Sequence, residues 1–325
     1  MVSITGAHLS AAARVARQYA TIDGMAGRFA PSPTSPLHLG NLRTALVAWL
    51  AARSSGREVL LRIEDLDQQR VSAAPAVAAG QIADLRALGL DFAGDVVWQS
   101  DRLDRYAAAV AGLPTYECFC TRREIAEAAS APHGDGYRPY PGTCAHLSDA
   151  ERAERRETRP PALRVRAEGA VETVTDGLAG QVTGVVDDFV VVRNDGVPAY
   201  NLAVVVDDVA QGVDQVVRGD DLLSSSPRQA WLTRRLGGSV AQYLHVPLVV
   251  NADGRRLAKR DRSVTLADLA ADGVSPDRVL TGLARSLGLA GATESVTPAQ
   301  LVNRFDARAL PREQWAVPSD ATGWS

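Results

Sequence analysis

The apolar and polar positions after residue 25 predict a strand, a helix and a second strand in close succession. Residues 27–30 form a short apolar segment that ends at Pro31. From Leu42 onward, apolar residues recur every three or four positions, which indicates a helix, and Gly56 is placed to end it. Glu58–Ile63 then has the composition of a buried strand. This order predicts two parallel strands joined by a right-handed crossover.

The chain beyond this unit continues the α/β pattern, with one long interruption. We expect a second helix at residues 76–88 and further strands at residues 189–193, 200–206, 216–218 and 245–250. Three cysteines, a Gly- and Pro-rich segment and a charged run interrupt the pattern, which indicates an insertion. The predicted divisions are an extension that precedes the patterned chain (1–24, with Met25 as an alternative start of translation), two halves of one α/β domain (25–114 and 176–274), the insertion (115–175) and a helical C-terminal segment (275–325).

Composition limits the kind of protein that this chain can be. With 46% hydrophobic and 22% charged residues, the 325-residue chain is globular, which excludes collagen-like and disordered classes. The formal net charge of −3 means that any contact with nucleic acid depends on local basic patches. No apolar run reaches the roughly 18 residues of a membrane span. Arginines among the first 24 residues argue against a signal peptide, so we expect a cytoplasmic enzyme without membrane contact.

The three cysteines, Cys118, Cys120 and Cys144, lie close together in the sequence. An odd number of cysteines in one short segment predicts metal binding before disulfide formation. Three thiolates suit tetrahedral zinc, and residue chemistry alone favours His133 or His146 as the fourth ligand. The alternative is three unrelated buried thiols.

A first candidate for substrate chemistry is the loop at residues 36–41, between the first strand and the first helix. Gly40 permits a phosphate to approach the backbone, and a helix N-terminus offers N–H groups to an anion. His38 is able to donate to phosphate oxygens. The alternative is a proline-rich turn in which Asn41 caps the helix. Parallel sheets bind ligands at the carboxyl ends of their strands, where both this loop and Glu64 fall.

A second candidate is the segment at residues 255–262, in which five of eight residues are basic. As a functional loop, it would use Lys259 to neutralise the charge that develops on a departing pyrophosphate. The alternative is a solvated charged loop. The charged run at residues 152–159 is interpreted as a solvated helix face.

Together and in this order, the two candidates resemble the HIGH-like and KMSKS-like motifs of the class I aminoacyl-tRNA synthetases. They appear here as residues 38–41 and 256–260. The segments 28–33, 62–67, 200–208 and 217–222 are similar to glutamyl-tRNA synthetases, and the resemblance extends from about residue 27 to 290. It implies a Rossmann-like parallel sheet with a zinc-binding insertion and a C-terminal helical part.

The resemblance is closest to one truncated family. Glutamyl-tRNA synthetases carry an anticodon-binding domain after the KMSKS-like loop, and the 65 residues after Arg260 are too few for it. The chain is therefore similar to the glutamyl-Q tRNA(Asp) synthetases. This likeness implies activation of L-glutamate with ATP and Mg²⁺ in the absence of tRNA. The glutamate is then transferred to the queuosine base in the anticodon of tRNA(Asp), by a monomer that holds one structural Zn²⁺.

The same resemblance implies roles for individual residues. His38 and Lys259 are expected to be catalytic, and Ala258 stands where the family usually has serine. A tyrosine is the implied fourth zinc ligand, with Tyr137 as a competitor for that place. The implied sets are His38, Gly40, Asn41 and Lys259 for ATP; Arg28, Ala30, Ser32, Glu64, Tyr200 and Arg218 for glutamate; and Cys118, Cys120, Tyr140 and Cys144 for zinc.

Several alternatives remain open from the residues alone. Arg28 and Glu64 could form a purely structural ion pair, and Tyr200 could be a core aromatic. The acidic pair Asp207 and Asp208 is expected at a strand end, either capping local N–H groups or holding a metal, and His245 is expected to be structural. At the level of function, the alternatives are a catalytic-domain-only enzyme that charges a tRNA 3′ end, and a non-catalytic tRNA- or glutamate-binding paralogue. The presence of His38, Gly40 and Lys259 argues against the second of these.

Overall fold

The computed structural model describes residues 25–67, 71, 73–121, 123–125, 139–251, 254 and 264–317. Lys259, Ala258, His133 and Tyr137 lie outside the described residues, as do the N-terminal residues 1–24. In the described part of the chain, no helix has the length and apolar character that a bilayer crossing requires.

The strand–helix–strand unit predicted at the start of the patterned chain is confirmed. The first two strands pair in parallel, with Arg28 opposite Leu60. Gly56 follows the helix with a φ of +71°, a conformation that favours glycine. The elements of this half are β1 (Ala26–Phe29), α1 (Leu39–Ser54), β2 (Glu58–Ile63), α2 (Ala74–Ala87), β3 (Val97–Trp98) and α3 (Leu103–Ala111).

The rest of the chain adds a small antiparallel sheet, the remaining strands of the main sheet and several helices. The exposed helix α4 has no buried residue, which confirms the predicted solvated face. The elements are β4 (Thr115–Cys118), α4 (Asp149–Thr158), β5 (Ala162–Val165), β6 (Val171–Asp176), β7 (Gly180–Val185), β8 (Val190–Val192), α5 (Tyr200–Ala210), β9 (Val213–Gly219), α6 (Ser226–Arg235), β10 (Gln242–Val246), β11 (Val249–Val250), α7 (Leu266–Ala271), α8 (Pro276–Ser286), α9 (Pro298–Arg304) and β12 (Trp315–Ala316).

The main sheet has seven strands in the order β3-β2-β1-β9-β10-β6-β7. Neighbouring strands are parallel, except that β6 and β7 form an antiparallel hairpin at one edge. Strands β4, β5 and β8 form a separate antiparallel sheet. Because β1, β2, β9 and β10 are parallel, their carboxyl ends meet at one edge of the main sheet, where this class of fold binds ligands.

Helix α1 lies in the centre of the apolar core. Twelve of its 16 residues are buried, so the helix is enclosed on nearly all sides. It contacts β1, β9 and β2 of the sheet, and α9 from the C-terminal part packs against it. Burial of a large aliphatic or aromatic side chain stabilises the fold by about 1.5–3 kcal/mol. This packing fixes the N-terminus of α1 against the sheet edge.

Two sequence-based strand predictions were wrong. Residues 200–206 belong to helix α5, in which every residue from Leu202 to Asp207 is buried. Its run of valines is typical of a strand. The acidic pair therefore lies in the last turns of a helix, not at a strand end. Residues 245–250 are divided between β10 and β11, because Pro247 has no N–H to continue the ladder.

Candidate functional site

A cleft of about 630 Å³ opens at the carboxyl ends of β1, β2 and β9. It is bordered by the loop that joins β1 to α1, by the N-terminus of α1 and by the start of α5. The structure brings nine residues with sequence-predicted ligand roles to this one cleft, namely Arg28, Ala30, Ser32, His38, Gly40, Asn41, Glu64, Tyr200 and Arg218.

His38 is the N-cap residue of α1. Its Nδ1 accepts the N–H of Asn41 at 3.3 Å, and the Asn41 side-chain oxygen accepts the N–H of His38 at 3.2 Å. Asn41 is thus the third helical residue and not the cap. Because Nδ1 is an acceptor, a neutral His38 carries its proton on Nε2. A Cβ on Gly40 would lie 2.9 Å from Cε1 of His38, so glycine is required for this arrangement.

Residues on both sides of the segment that contains Lys259 lie beside the same motif. After the segment, the N–H of Leu39 donates to the carbonyl of Val264 at 3.0 Å, and His38 and Thr265 form an antiparallel bridge. Before it, Val249 lines the cleft and lies 3.3 Å from the Cβ position of Gly40. The chain therefore leaves and returns beside the N-terminus of α1.

Arg28 and Glu64 lie in one charged network, but each has a different ion-pair partner. Nε of Arg28 lies 3.4 Å from Oδ1 of Asp208. Arg62, which is fully buried, contacts Asp208 at 2.8 Å and Oε1 of Glu64 at 3.5 Å. The expectation of a local capping role for Asp208 was therefore wrong, because its carboxylate joins two arginines from β1 and β2.

The network changes the acidity of its carboxyl groups in opposite directions. Burial raises the pKa of Glu64 above its usual range, although the Arg62 and Arg28 guanidinium groups oppose the change. Burial also favours a higher pKa for Asp208, but Arg28 and Arg62 outweigh it and hold the pKa below its usual range. Asp208 therefore keeps its negative charge beside Arg28 to a lower pH than a typical aspartate, while Glu64 is the more readily protonated of the two.

Arg218 is 5% exposed and makes its hydrogen bonds to neutral groups. They are Nε2 of His245 at 2.9 Å, Oε1 of Gln229 at 2.7 Å and Oγ of Ser226 at 2.9 Å, with the Tyr200 hydroxyl at 3.4 Å and the Leu222 carbonyl at 3.3 Å. Within the described ranges, no carboxylate forms an ion pair with Arg218. A buried charge without a counter-charge is costly, and an anionic ligand in the cleft would supply one.

Tyr200 lies at the N-terminus of α5 and is 42% exposed, so the interpretation as a core aromatic was wrong. It borders the cleft beside Arg218, whose Nη1 is near its hydroxyl. The hydroxyl therefore faces the same space as the arginine. Its position results from the helix start that sequence patterning assigned to a strand.

The three thiols of Cys118, Cys120 and Cys144 lie within 4.8 Å of one another. Zn–S bonds of about 2.3 Å give a tetrahedron with sulfur–sulfur edges of about 3.8 Å. The Sγ atoms of Cys120 and Cys144 are 3.6 Å apart, which fits this edge and is far too long for a disulfide. The donor set thus fits a tetrahedral zinc ion.

Tyr140 supplies the neighbouring oxygen. Its hydroxyl oxygen lies 3.5 Å from Sγ of Cys118 and 3.9 Å from Sγ of Cys120, and it accepts the N–H of Cys144 at 2.7 Å. The Arg164 guanidinium lies 3.6 Å from the centre of the Tyr140 ring. His146 is exposed, and in the described part of the chain the metal-ligand cluster contains the three cysteines without it.

Sequence reasoning missed two features of the site. Asp207 is fully buried and accepts from Gln99, Arg102 and Tyr106, which ties α5 to the segment after β3. Gln81 donates to the carbonyls of Ser32 and Ser35 and so holds the loop after β1.

Comparison of the sequence with known proteins identifies the family. Residues 25–323 match the family described as tRNA synthetases class I (E and Q), catalytic domain. A glutamyl-Q tRNA(Asp) synthetase from Nocardia farcinica is 60% identical, over 92% of this chain and 95% of that protein. Another, from Cutibacterium acnes, is 57% identical over 86% and 79% of the two chains.

Solved structures agree at the level of the fold. The glutamate-tRNA synthetase of Elizabethkingia anophelis matches 93% of this chain and 70% of its own, with a TM-score of 0.76 and 24% identity. Because this identity is low, the likeness concerns the fold alone. The sequence matches go further, and the chain belongs to the glutamyl-Q tRNA(Asp) synthetase family of class I tRNA synthetases.

Proposed function

We propose that this protein activates L-glutamate with ATP in the absence of tRNA. It then transfers the glutamyl group to the queuosine base in the anticodon of tRNA(Asp). The observation that carries the first step is the buried, uncompensated charge of Arg218 in the cleft that also contains His38. The second step rests on the activity named in the relatives from Nocardia farcinica and Cutibacterium acnes.

In this proposal the cleft recognises glutamate by charge. Arg218 and Arg28 pair with its carboxylates, since each guanidinium is a fixed positive charge at the cleft. Glu64 pairs with the ammonium group and Tyr200 donates its hydroxyl. Ala30 and Ser32 shape the wall at the end of β1. Glutamine would leave an arginine without its counter-charge, at a cost of about 3–5 kcal/mol, or about two to four decades in rate.

ATP would bind with its phosphates at the N-terminus of α1. Gly40 presents its backbone N–H group there, Asn41 fixes the orientation of His38, and Nε2–H of His38 donates to a phosphate oxygen. An α-carboxylate oxygen of glutamate attacks the α-phosphorus, and the bond to the pyrophosphate oxygen breaks. The nucleophile is already an anion, so positioning and charge stabilisation by His38 and Lys259 suffice without a general base. Mg²⁺ bound with ATP supplies further neutralisation of phosphate charge.

The thiol cluster would hold one structural zinc ion through Cys118, Cys120, Cys144 and Tyr140. The N–H of Cys144, bound to the phenol oxygen, supports the negative charge that a ligand oxygen needs. When bound, zinc supplies a cross-link within the insertion (115–175), which joins the catalytic halves (25–114 and 176–274). The C-terminal helical segment (275–325) supports α1. We propose that the protein acts as a monomer.

Glutamate-dependent exchange between ATP and pyrophosphate, measured without tRNA, tests the first step. We expect exchange with glutamate and little with glutamine. An absence of exchange would favour the non-catalytic paralogue. Exchange that requires tRNA would contradict the proposal, because the proposed activation step is independent of tRNA.

Mapping the labelled nucleoside tests the second step. Queuosine-containing tRNA(Asp) is incubated with ATP and labelled glutamate, digested to nucleosides and analysed by mass spectrometry. We expect the label on queuosine, and none on the same tRNA prepared without queuosine. A label on the 3′-terminal adenosine would identify the alternative enzyme, which charges a tRNA 3′ end.

A further inference from the structure

On the side away from the cleft, Arg218 is connected by hydrogen bonds to two residues that do not line the cleft, His245 and Asp176. Nε of Arg218 donates to Nε2 of His245 at 2.9 Å, and Nδ1 of His245 lies 2.7 Å from Oδ2 of Asp176. The His245 and Asp176 side chains are completely buried. Arg218 belongs to β9, His245 belongs to β10 and Asp176 ends β6. The hydrogen bonds therefore connect three neighbouring strands of the main sheet.

These contacts fix which nitrogen of His245 carries the proton. The Arg218 Nε–H is a donor, so Nε2 of the imidazole must be an acceptor. The proton is then on Nδ1, where Asp176 accepts it. Burial lowers the pKa of His245 and so favours the neutral ring, although Asp176 opposes the change.

Asp176 is itself held in one orientation. Its Oδ1 accepts the N–H groups of Leu178 at 2.9 Å and Ala179 at 2.8 Å. Its Oδ2 accepts the backbone N–H of His245 at 2.9 Å in addition to the ring. Both carboxylate oxygens are thus used as acceptors. The NH₂ group of an asparagine side chain at this position would face at least one of these N–H groups, and no hydrogen bond would form there.

We propose that Asp176 and His245 are positioning residues for glutamate recognition, which set the orientation of Arg218 and leave its charge for the substrate carboxylate. A neutral acceptor directs the guanidinium without compensating it, whereas a carboxylate in direct contact would cancel the charge that selects an anion. The inference rests on the proposed function in one respect, the assignment of glutamate as the ligand of Arg218.

The variants separate positioning from packing. Asp176→Asn keeps the shape of the side chain but places its NH₂ toward either the His245 ring or backbone N–H groups. His245→Gln keeps an acceptor oxygen near the position of Nε2, and His245→Leu keeps apolar volume without an acceptor. Glu172→Gln, on the same strand β6, is the control because its partner is Arg234 on the surface.

Calorimetry measures the Kd of glutamate for each full-length variant, and exchange kinetics give kcat and the KM for ATP. We expect Asp176→Asn and His245→Leu to raise the Kd for glutamate about tenfold or more. The KM for ATP and the kcat at saturating glutamate should stay within about threefold. We expect His245→Gln to bind more tightly than His245→Leu, and Glu172→Gln to match the parent protein.

Equal glutamate affinity in Asp176→Asn and the parent protein would overturn the inference. So would tighter binding by His245→Leu than by His245→Gln, because that order is expected of a packing role alone. Melting temperatures identify a variant that fails to fold, and in that case the comparison of the two His245 variants decides. If the parent protein binds glutamate but shows no exchange, the proposed function fails while the positioning role stands.

Discussion

The backbone N–H of Leu39 donates to the carbonyl oxygen of Val264 at 3.0 Å. This bond connects the start of α1 to the first described residue after the segment that contains Lys259. A residue that flanks the second motif therefore lies beside the first motif, at one corner of the cleft. A shared site for ATP requires this arrangement, since one triphosphate must reach both.

The first prediction concerns Lys259. We expect Lys259→Ala to lower glutamate-dependent exchange of ATP and pyrophosphate by about two decades or more, because the charge on the departing pyrophosphate loses its neutralising partner. Ala258→Ser is the control, as it adds the hydroxyl that the family usually has and leaves the lysine in place. Exchange near the parent rate in Lys259→Ala would contradict the role.

A second prediction uses the fact that Lys259 is the only lysine. An amine-reactive reagent should modify Lys259 and the N-terminal amine, and bound ATP should slow the modification of Lys259 but not that of the terminus. Peptide mass spectrometry measures both rates in the same sample, so the terminal amine is an internal control. Equal rates with and without ATP would place the lysine away from the nucleotide.

The third prediction is a pH dependence that Glu64 controls. Burial raises the pKa of Glu64, so its charge is lost on acidification at a higher pH than for an exposed glutamate. The protonated acid cannot pair with an ammonium group, and kcat/KM for glutamate should therefore fall as the pH drops through this pKa. We expect Glu64→Gln to have low kcat/KM at neutral pH and no such acid limb. An unchanged profile would exclude the pairing.

The fourth prediction concerns the zinc ligands. Metal analysis should find one zinc per chain, and Cys144→Ser should lose it. We expect Tyr140→Phe to weaken zinc binding in competition with a chelator, because it removes the ligand oxygen and keeps the ring. His146→Ala and Tyr137→Phe should bind zinc as the parent does. If either of them loses the metal while Tyr140→Phe keeps it, the assignment of the fourth ligand is wrong.

Sequence patterning was sufficient where the residue types of an element agree with its secondary structure. Helix α1 is buried on nearly all sides, but it is rich in leucine and alanine, which favour a helix, and Gly56 ends it. The same reasoning failed for α5, because its run of valines favours a strand. Because α5 was predicted as a strand, Asp207 and Asp208 were expected at a strand end and not in contact with the buried arginines.

The cleft itself was anticipated through motif resemblance more than through patterning. The positions of Arg28 and Glu64 could be predicted because both lie near the end of a strand. Pro31 marks the end of β1, and the acidic residues after Ile63 mark the end of β2. The hydrogen-bond chain from Arg218 through His245 to Asp176 could not be predicted in this way. His245 and Asp176 are 69 positions apart in the sequence, and they meet because their strands are neighbours in the sheet. Strand order in a parallel sheet is a tertiary property, so local sequence does not contain it.

The final prediction concerns the stability that Asp207 provides. Its fully buried carboxylate contacts Arg102 at 2.6 Å and Arg62 at 3.7 Å. Asp207→Asn removes the charge and leaves buried guanidinium groups undercompensated, so we expect the free energy of unfolding to fall by about 3–5 kcal/mol in urea titrations. Asp214→Asn is the matched control, because the partly exposed Asp214 pairs with Arg57 near the surface, where such a pair contributes about 1 kcal/mol or less. Equal losses in both variants would mean that burial of the charge is not what makes Asp207 important.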